Sequence, residues 1–255
     1  MQPININDDA EPVELSGPGA ATGALVNVSS LSDTHMLSEQ VYHSILQLVM
    51  RGQLQRGAAL RIEELSRLLN VSPTPVREGL TRLESSGLVI HEPRKGFRVA
   101  PPLTQAQFEQ LMDARELLEV GAAGAAAAAG GDKFVLALER ALAAQEAAVD
   151  RFHRAKDLPD LDEMSWNVID TDLHFHRVIF EYTNNPFIGR MAEALNGQSH
   201  RVRQSAEKGI SDDLEALVEH RAISEAARTG DPLAVQAAMR SHLELVRVRA
   251  GLDAQ

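Results

Sequence analysis

The chain has 255 residues, a formal net charge of −11, 44% hydrophobic but only 4% aromatic residues, and no cysteine. The length is comfortable for two domains, and the lack of cysteine excludes disulfides and thiolate metal sites and fits a reducing cytoplasm. No basic stretch followed by an apolar run opens the chain, and no apolar stretch reaches the roughly 18 residues of a membrane span, so a soluble cytoplasmic protein with no membrane partner is expected.

The charge is unevenly placed. Residues 1–35 hold five acids and no base, residues 36–100 hold nine Lys/Arg against six Asp/Glu, and the remainder carries −9. Any phosphate contact is therefore assigned to 36–100.

Residues 1–35 are acidic, rich in Gly, Ala, Ser and Asp, and show no periodicity, which reads as a disordered arm. A helix is predicted from Ser38, with Val41, Ile45, Leu48 and Val49 in register and Gly52 closing it. A loop over 53–59 follows, then a second helix, Ile62 to Leu69, broken at Asn70. Ser72 starts a third helix as its cap. Pro73 and Pro75 fall among the first positions, where a missing N–H costs no intrahelical bond. Val76, Leu80 and Leu83 make one apolar stripe. The far side carries Thr74, Glu78, Thr81 and Ser85, with Arg77 and Arg82 on its shoulders.

A thin apolar seam with a hydroxyl-and-arginine outer face suits the major groove of DNA. The short turn between the second and third helices makes a helix-turn-helix. Leu88–His91 and Phe97–Ala100 then read as strands joined by the basic run Glu92-Pro93-Arg94-Lys95-Gly96. The predicted unit, residues 36–101, is a winged helix-turn-helix. Its expected DNA contacts are Ser72, Thr74, Arg77, Thr81 and Arg82 on the helix, and Arg94, Lys95 and Gly96 at the hairpin tip.

These residues carry a resemblance. The run Val71-Ser72-Pro73-Thr74-Pro75-Val76-Arg77-Glu78, followed by Gly87-Leu88-Val89 and Pro93-Arg94-Lys95-Gly96-Phe97-Arg98-Val99, resembles the DNA-binding domain of the GntR superfamily of bacterial transcription regulators. The resemblance implies a recognition helix in the major groove and the hairpin tip in the neighbouring minor groove. Family members commonly have arginine after the capping serine, where this chain has Pro73.

Pro101-Pro102 closes the unit. Residues 102–251 read as an all-helical bundle of about six to seven helices, near 104–129, 133–155, 161–183, 186–208, 212–229 and 232–250, so the fold class is mainly α. The Gly/Ala run Gly121–Ala129 is too weakly apolar for a membrane and reads as a close helix–helix contact.

Inside this bundle, ionisable residues stand where apolar ones are expected. Asp172 and His176 are i, i+4 neighbours on the stripe Ile169, Asp172, His176, Ile179, Phe180. His220 lies ten residues before Gly230 and His242 eleven after Asp231. Across an antiparallel helix pair both fall roughly 15 Å from the turn, at 1.5 Å per residue. Three separate core histidines and a capped aspartate are the plain alternative. One carboxylate and three neutral imidazoles suit a divalent transition metal, zinc first, with nickel, manganese or iron as alternatives. His174 points elsewhere, and His153 and His200 have no such support.

The order Asp172-x3-His176, His220, His242 also resembles the FCD effector domain of the FadR-type branch of that superfamily. The resemblance implies an all-helical bundle that holds a metal and a small organic acid, and a homodimer on a near-palindromic operator. Arg115, i, i+4 from Glu119, is either half of a buried ion pair or a fork for the carboxylate effector. Asn185 is an effector contact or a helix cap. A metal-dependent hydrolase using the same Asp/His cluster is the alternative function; against it, no general base stands out beside the cluster, and a hydrolase has no use for the winged helix, so no enzyme is expected.

Overall fold

The computed structural model describes residues 28–50, 53–155, 161–205 and 212–252. Helix α1 (Val28–Met50) starts within the stretch read above as an arm. Between Gly23 and Gly52 the chain has neither glycine nor proline to stop a helix, so it propagates past Ser38, the expected start. Residues 1–27 lie outside the described residues.

A two-residue strand, β1 (Ala59–Leu60), follows in what the sequence shows as loop. Helices α2 (Ile62–Leu69) and α3 (Pro73–Ser85) are separated by Asn70, which takes the left-handed conformation at φ 54° and ends α2. Strands β2 (Val89–Glu92) and β3 (Gly96–Val99) form the hairpin, and β1 joins β3 to give an antiparallel sheet of order β1-β3-β2. Its register pairs Leu60 with Phe97 and Glu92 with Gly96.

The apolar stripes meet as expected. Val41, Ile45 and Val49 of α1, Leu65 of α2, and Val76, Leu80 and Leu83 of α3 are buried together with Leu88, Val89 and Val99. Truncating any one of the fully buried leucines to alanine costs about 2–5 kcal/mol.

After Pro101-Pro102, Thr104 opens α4 (Gln105–Arg115) with a reciprocal cap. The Gln107 N–H donates to Thr104 Oγ1, and the Thr104 N–H donates to Gln107 Oε1. A π-helical turn, Glu116–Val120, leads without a break into α5 (Gly121–Arg154). The break expected at Gly130-Gly131 is a kink at Gly131, with φ 50° and ψ −147°. Then come α6 (Leu161–Tyr182), α7 (Pro186–Ser205), α8 (Asp213–Arg228) and α9 (Pro232–Leu252). Phe134, Leu138, Phe175, Ile179, Ile223 and Met239 form the centre of this second core. The Gly/Ala run is a close contact: Ala122, Ala123 and Ala126 are buried, and a Cβ on Gly124 would sit 2.4 Å from Gln236 Nε2 of α9. Among the described residues no helix is long and apolar enough to cross a membrane.

The two cores touch. Trp166 of α6 packs against the first core, and Gln198 Nε2 of α7 donates to the Ser86 carbonyl at 3.1 Å. The adjoining Gly87 has φ +75°, and a Cβ there would fall 1.7 Å from Gln198 Nε2. Gly87→Ala is expected to lose about 1–2 kcal/mol to the left-handed backbone alone. That lowers Tm by about 2–8 °C in a thermal melt, and the displaced Gln198 loses its bond to Ser86.

Candidate metal centre and nucleic-acid face

On α3 the outer residues Ser72, Thr74, Arg77, Thr81 and Arg82 are all exposed, as are Arg94 and Lys95 at the hairpin tip; Gly96 is half-buried. Arg94 sits at φ 68°. Two details correct the sequence reading. Ser72 occupies the N-cap position without a side-chain capping bond. With Pro73 at the first helical position, Pro75 is the third and has no N–H, which leaves the Thr74 N–H as the one cap donor, and the exposed Ser72 hydroxyl does not engage it. Arg82 is not a bare shoulder: its guanidinium pairs with Glu39 of α1 and covers the Tyr42 ring 4.5 Å from the centroid. Thr81 donates its hydroxyl to the Arg77 carbonyl at 2.9 Å.

The second site is built on four helices. His176 (α6), His220 (α8) and His242 (α9) are buried and offer ligand atoms within 4.8 Å of one another. Their ring centroids lie 4.8–5.2 Å apart. The fourth candidate, Asp172, stands beside this trio rather than in it. Its Oδ1 is 4.0 Å from His220 Nε2 and accepts a bond from Gln145 Nε2 of α5 at 3.1 Å.

Each ring turns its Nδ1 edge to an outer acceptor. His176 Nδ1 lies 2.7 Å from Glu119 Oε2, His220 Nδ1 is 2.7 Å from Gln145 Oε1, and His242 Nδ1 is 2.8 Å from Glu219 Oε2. An ionised carboxylate only accepts, so the His242 N–H donates to Glu219; the His176–Glu119 approach is an ion-pair contact without hydrogen-bond geometry. At His220 and His242 this is the outer-partner pattern of metal-ligating histidines, which leaves Nε2 as the ligand edge of those two rings. His242 Nε2 is buried with no hydrogen-bond partner among the described residues. Such a group is costly unless something satisfies it, and burial holds His242 below its ordinary pKa and so keeps it neutral. The residues fit a divalent transition metal.

Two ion pairs anchor the outer partners. Arg115 Nε donates to Glu119 Oε1 at 2.6 Å, and Arg249 grips Glu219 with both terminal nitrogens. Burial alone would raise the Glu119 carboxyl, but the Arg115 guanidinium and then His176 hold it far below the usual range. The π turn carries Glu119, and such turns recur at functional sites.

From sequence alone Glu119 stands out only as a partner of Arg115, and Gln145, Glu219 and Arg249 go unnoticed. Gln145 did carry a signal, as a polar residue in the apolar stripe Leu138, Leu142, Val149. Asn185, read as an effector contact or cap, is exposed and caps α7, its Oδ1 accepting from the Phe187 N–H at 3.0 Å. It lines a surface cleft with Arg177 and Glu181 and not the buried cluster, because the Asn-Pro step uses it to start a helix. His174 is exposed, and His153 bonds Asp213 Oδ2 at 2.7 Å.

The metal-free protein is expected to weaken in acid in two stages. His242, with its pKa depressed in the fold, takes its proton more readily unfolded, so stability falls below about pH 6.5. Glu119 and Glu219 are depressed carboxyls; their contribution is present above about pH 4.5 and lost as pH falls through the folded values. Glu119→Gln is therefore strongly destabilising near pH 7, where it strands Arg115. The gap to wild type narrows below pH 4.5 in urea unfolding followed across pH.

Residues 37–99 match the family described as bacterial regulatory proteins, gntR family, and residues 110–245 match the FCD domain. The chain is 32% identical over 222 residues to an uncharacterized HTH-type transcriptional regulator of Streptomyces ambofaciens, covering 82% of this chain and 85% of the relative. It is 27% identical to the HTH-type transcriptional repressor RspR of Escherichia coli K12 over 216 residues, or 85% and 90% of the two chains. The solved structure of E. coli McbR/YncC superposes with a TM-score of 0.68 at 20% identity, covering 86% of this chain and 99% of that one. A GntR regulator structure from Rhodococcus sp. RHA1 gives 0.65 at 20% identity over 84% and 96%. These two likenesses show the shared fold. The matched families and relatives are transcription regulators rather than enzymes, which sets the hydrolase alternative aside.

Proposed function

The chain belongs to the gntR family of bacterial regulatory proteins and carries an FCD domain, and from that premise we propose that it is a ligand-responsive regulator acting as a homodimer on a near-palindromic DNA operator. Helix α3 enters the major groove and the Arg94-Lys95-Gly96 tip enters the adjacent minor groove. His176, His220 and His242, with Asp172 beside them, hold zinc, or alternatively nickel, manganese or iron. The bound metal supplies a Lewis-acid anchor for the carboxylate of a small organic acid. Arg115, held by Glu119, turns its remaining edge to that acid.

The observation that carries the reading is the buried histidine trio with its outer acceptors, one member of which, His176, stands on a helix that also reaches the DNA-binding core. Trp166 and His176 share α6, so a shift at the cluster reaches the winged unit through one rigid rod. Acid and operator then alter each other's affinity by one common factor.

The test uses an operator that the protein itself selects from a randomised duplex pool. Binding of the zinc-loaded protein is titrated by fluorescence anisotropy with and without a panel of small mono-, di- and hydroxy-acids. At least one acid is expected to shift operator affinity by about 5-fold or more. A panel that shifts nothing contradicts the reading.

A further inference from the structure

We propose that Gln145 is a positioning residue that selects which edge of His220 faces the cluster and ties that ring to Asp172 across two helices. Its consequence for ligand binding rests on the metal reading above; the protonation pattern it sets belongs to the metal-free protein as well.

Gln145 is buried at 1% exposure on α5 and touches two residues on two other helices. Its Nε2 donates to Asp172 Oδ1 on α6 at 3.1 Å, and its Oε1 lies 2.7 Å from His220 Nδ1 on α8. The two ends of an amide are chemically distinct: nitrogen only donates and oxygen only accepts. An ionised Asp172 only accepts, so the NH2 end must face it. A flipped amide would set its oxygen against the carboxylate. With the NH2 end committed, the oxygen faces His220, and Nδ1 must carry the proton. Nε2 is then the lone-pair edge, 4.0 Å from Asp172 Oδ1.

The ring plane has its own support. Phe175 stacks on His220 with centroids 4.1 Å apart and planes 7° from parallel. Stacking fixes the plane but not the edge, because a half-turn about the Cβ–Cγ bond leaves the plane unchanged and exchanges Nδ1 for carbon. The stack sets the plane and the amide sets the edge. Glu119 and Glu219 serve the other two rings through charge, whereas Gln145 serves His220 by polarity. It also holds Asp172 at the rim.

The test compares wild type with Gln145→Met, which keeps the volume and removes both polar ends, and with Gln145→Glu, which can accept from His220 but cannot donate to Asp172. Long-range 1H–15N spectra of metal-free, 15N-histidine-labelled full chain at pH 8 report the tautomer, with His220 assigned by the signal lost in His220→Asn. Zinc affinity is read by chelator competition. Wild-type His220 is expected as the Nδ1–H form. Gln145→Met is expected to lose that form at His220 while His176 and His242 keep theirs, and to bind zinc about 10- to 100-fold more weakly. Gln145→Glu is expected to keep the Nδ1–H form, and loss of that form in this variant also overturns the assignment, whether or not the methionine variant folds. An Nε2–H tautomer in wild type, or an unchanged tautomer and zinc affinity in Gln145→Met, overturns the assignment. A wild type that takes up no transition metal sinks the metal reading alone, and the tautomer comparison still judges Gln145.

Discussion

Replacing His220 with alanine is expected to abolish zinc binding while leaving operator binding in the absence of acid intact. His220 has no exposed surface and sits between the Phe175 ring, Gln145 and the other two histidines. An outer partner of a metal ligand is worth about 10- to 100-fold in affinity, so removal of a ligand itself is expected to exceed about 100-fold. Stability reads the same event. Saturating a site at a thousand times its Kd adds about 4 kcal/mol, which raises Tm by about 8–16 °C for a chain of this size. Chelator-stripped wild type should show that rise on adding zinc, and His220→Ala should show none. The first core shares no residue with the cluster, so the variant should still bind DNA. A Tm rise with zinc that survives in His220→Ala would place the metal elsewhere.

Arg77→Ala is expected to weaken operator binding by about 1–3 kcal/mol, or 5- to 150-fold, without lowering Tm. Arg77 is exposed on the outer side of α3, and among the described residues no ion pair holds it. Arg82, by contrast, is tied to Glu39 and Tyr42. The hairpin tip should behave differently. Arg94→Ala and Lys95→Ala remove phosphate charge, so each is expected to reduce the salt dependence of binding by about one counterion and to weaken all sequences alike. Anisotropy titrations of operator and scrambled duplex over a salt series separate the two patterns. Equal loss on both duplexes for Arg77→Ala would remove it from base reading.

The winged unit was legible because each of its signals is local. Asn70 in the turn, prolines at the start of α3 and the stripe Val76, Leu80, Leu83 act within a few residues of one another. The histidines were legible for a related reason: an ionisable residue on an apolar stripe must face the core, and equal distances from a tight turn set His220 and His242 level. The parts that escaped depend on contacts distant in sequence. Strand β1 is two residues long and exists only because β3 pairs with it. The π turn at 116–120 changes the backbone register without any residue that announces it. Glu219 adjoins His220, yet its role as acceptor for His242 appears only once α8 and α9 are packed. Ser72 fits a cap by residue type, yet Pro75 removes one of the two N–H donors such a cap can use, and no side-chain cap bond forms. Asn185 suits either an effector contact or a cap by its place at a helix start, and its bond from the Phe187 N–H makes it a cap of α7.

The most direct measurement is the transition-metal content of the purified full chain, by elemental analysis after zinc loading and dialysis, beside a His176→Ala/His220→Ala double variant. The expected result is one ion per chain in wild type and none in the variant. A wild-type chain that retains no transition metal, or a variant that retains as much, would contradict a metal held by the three buried imidazoles.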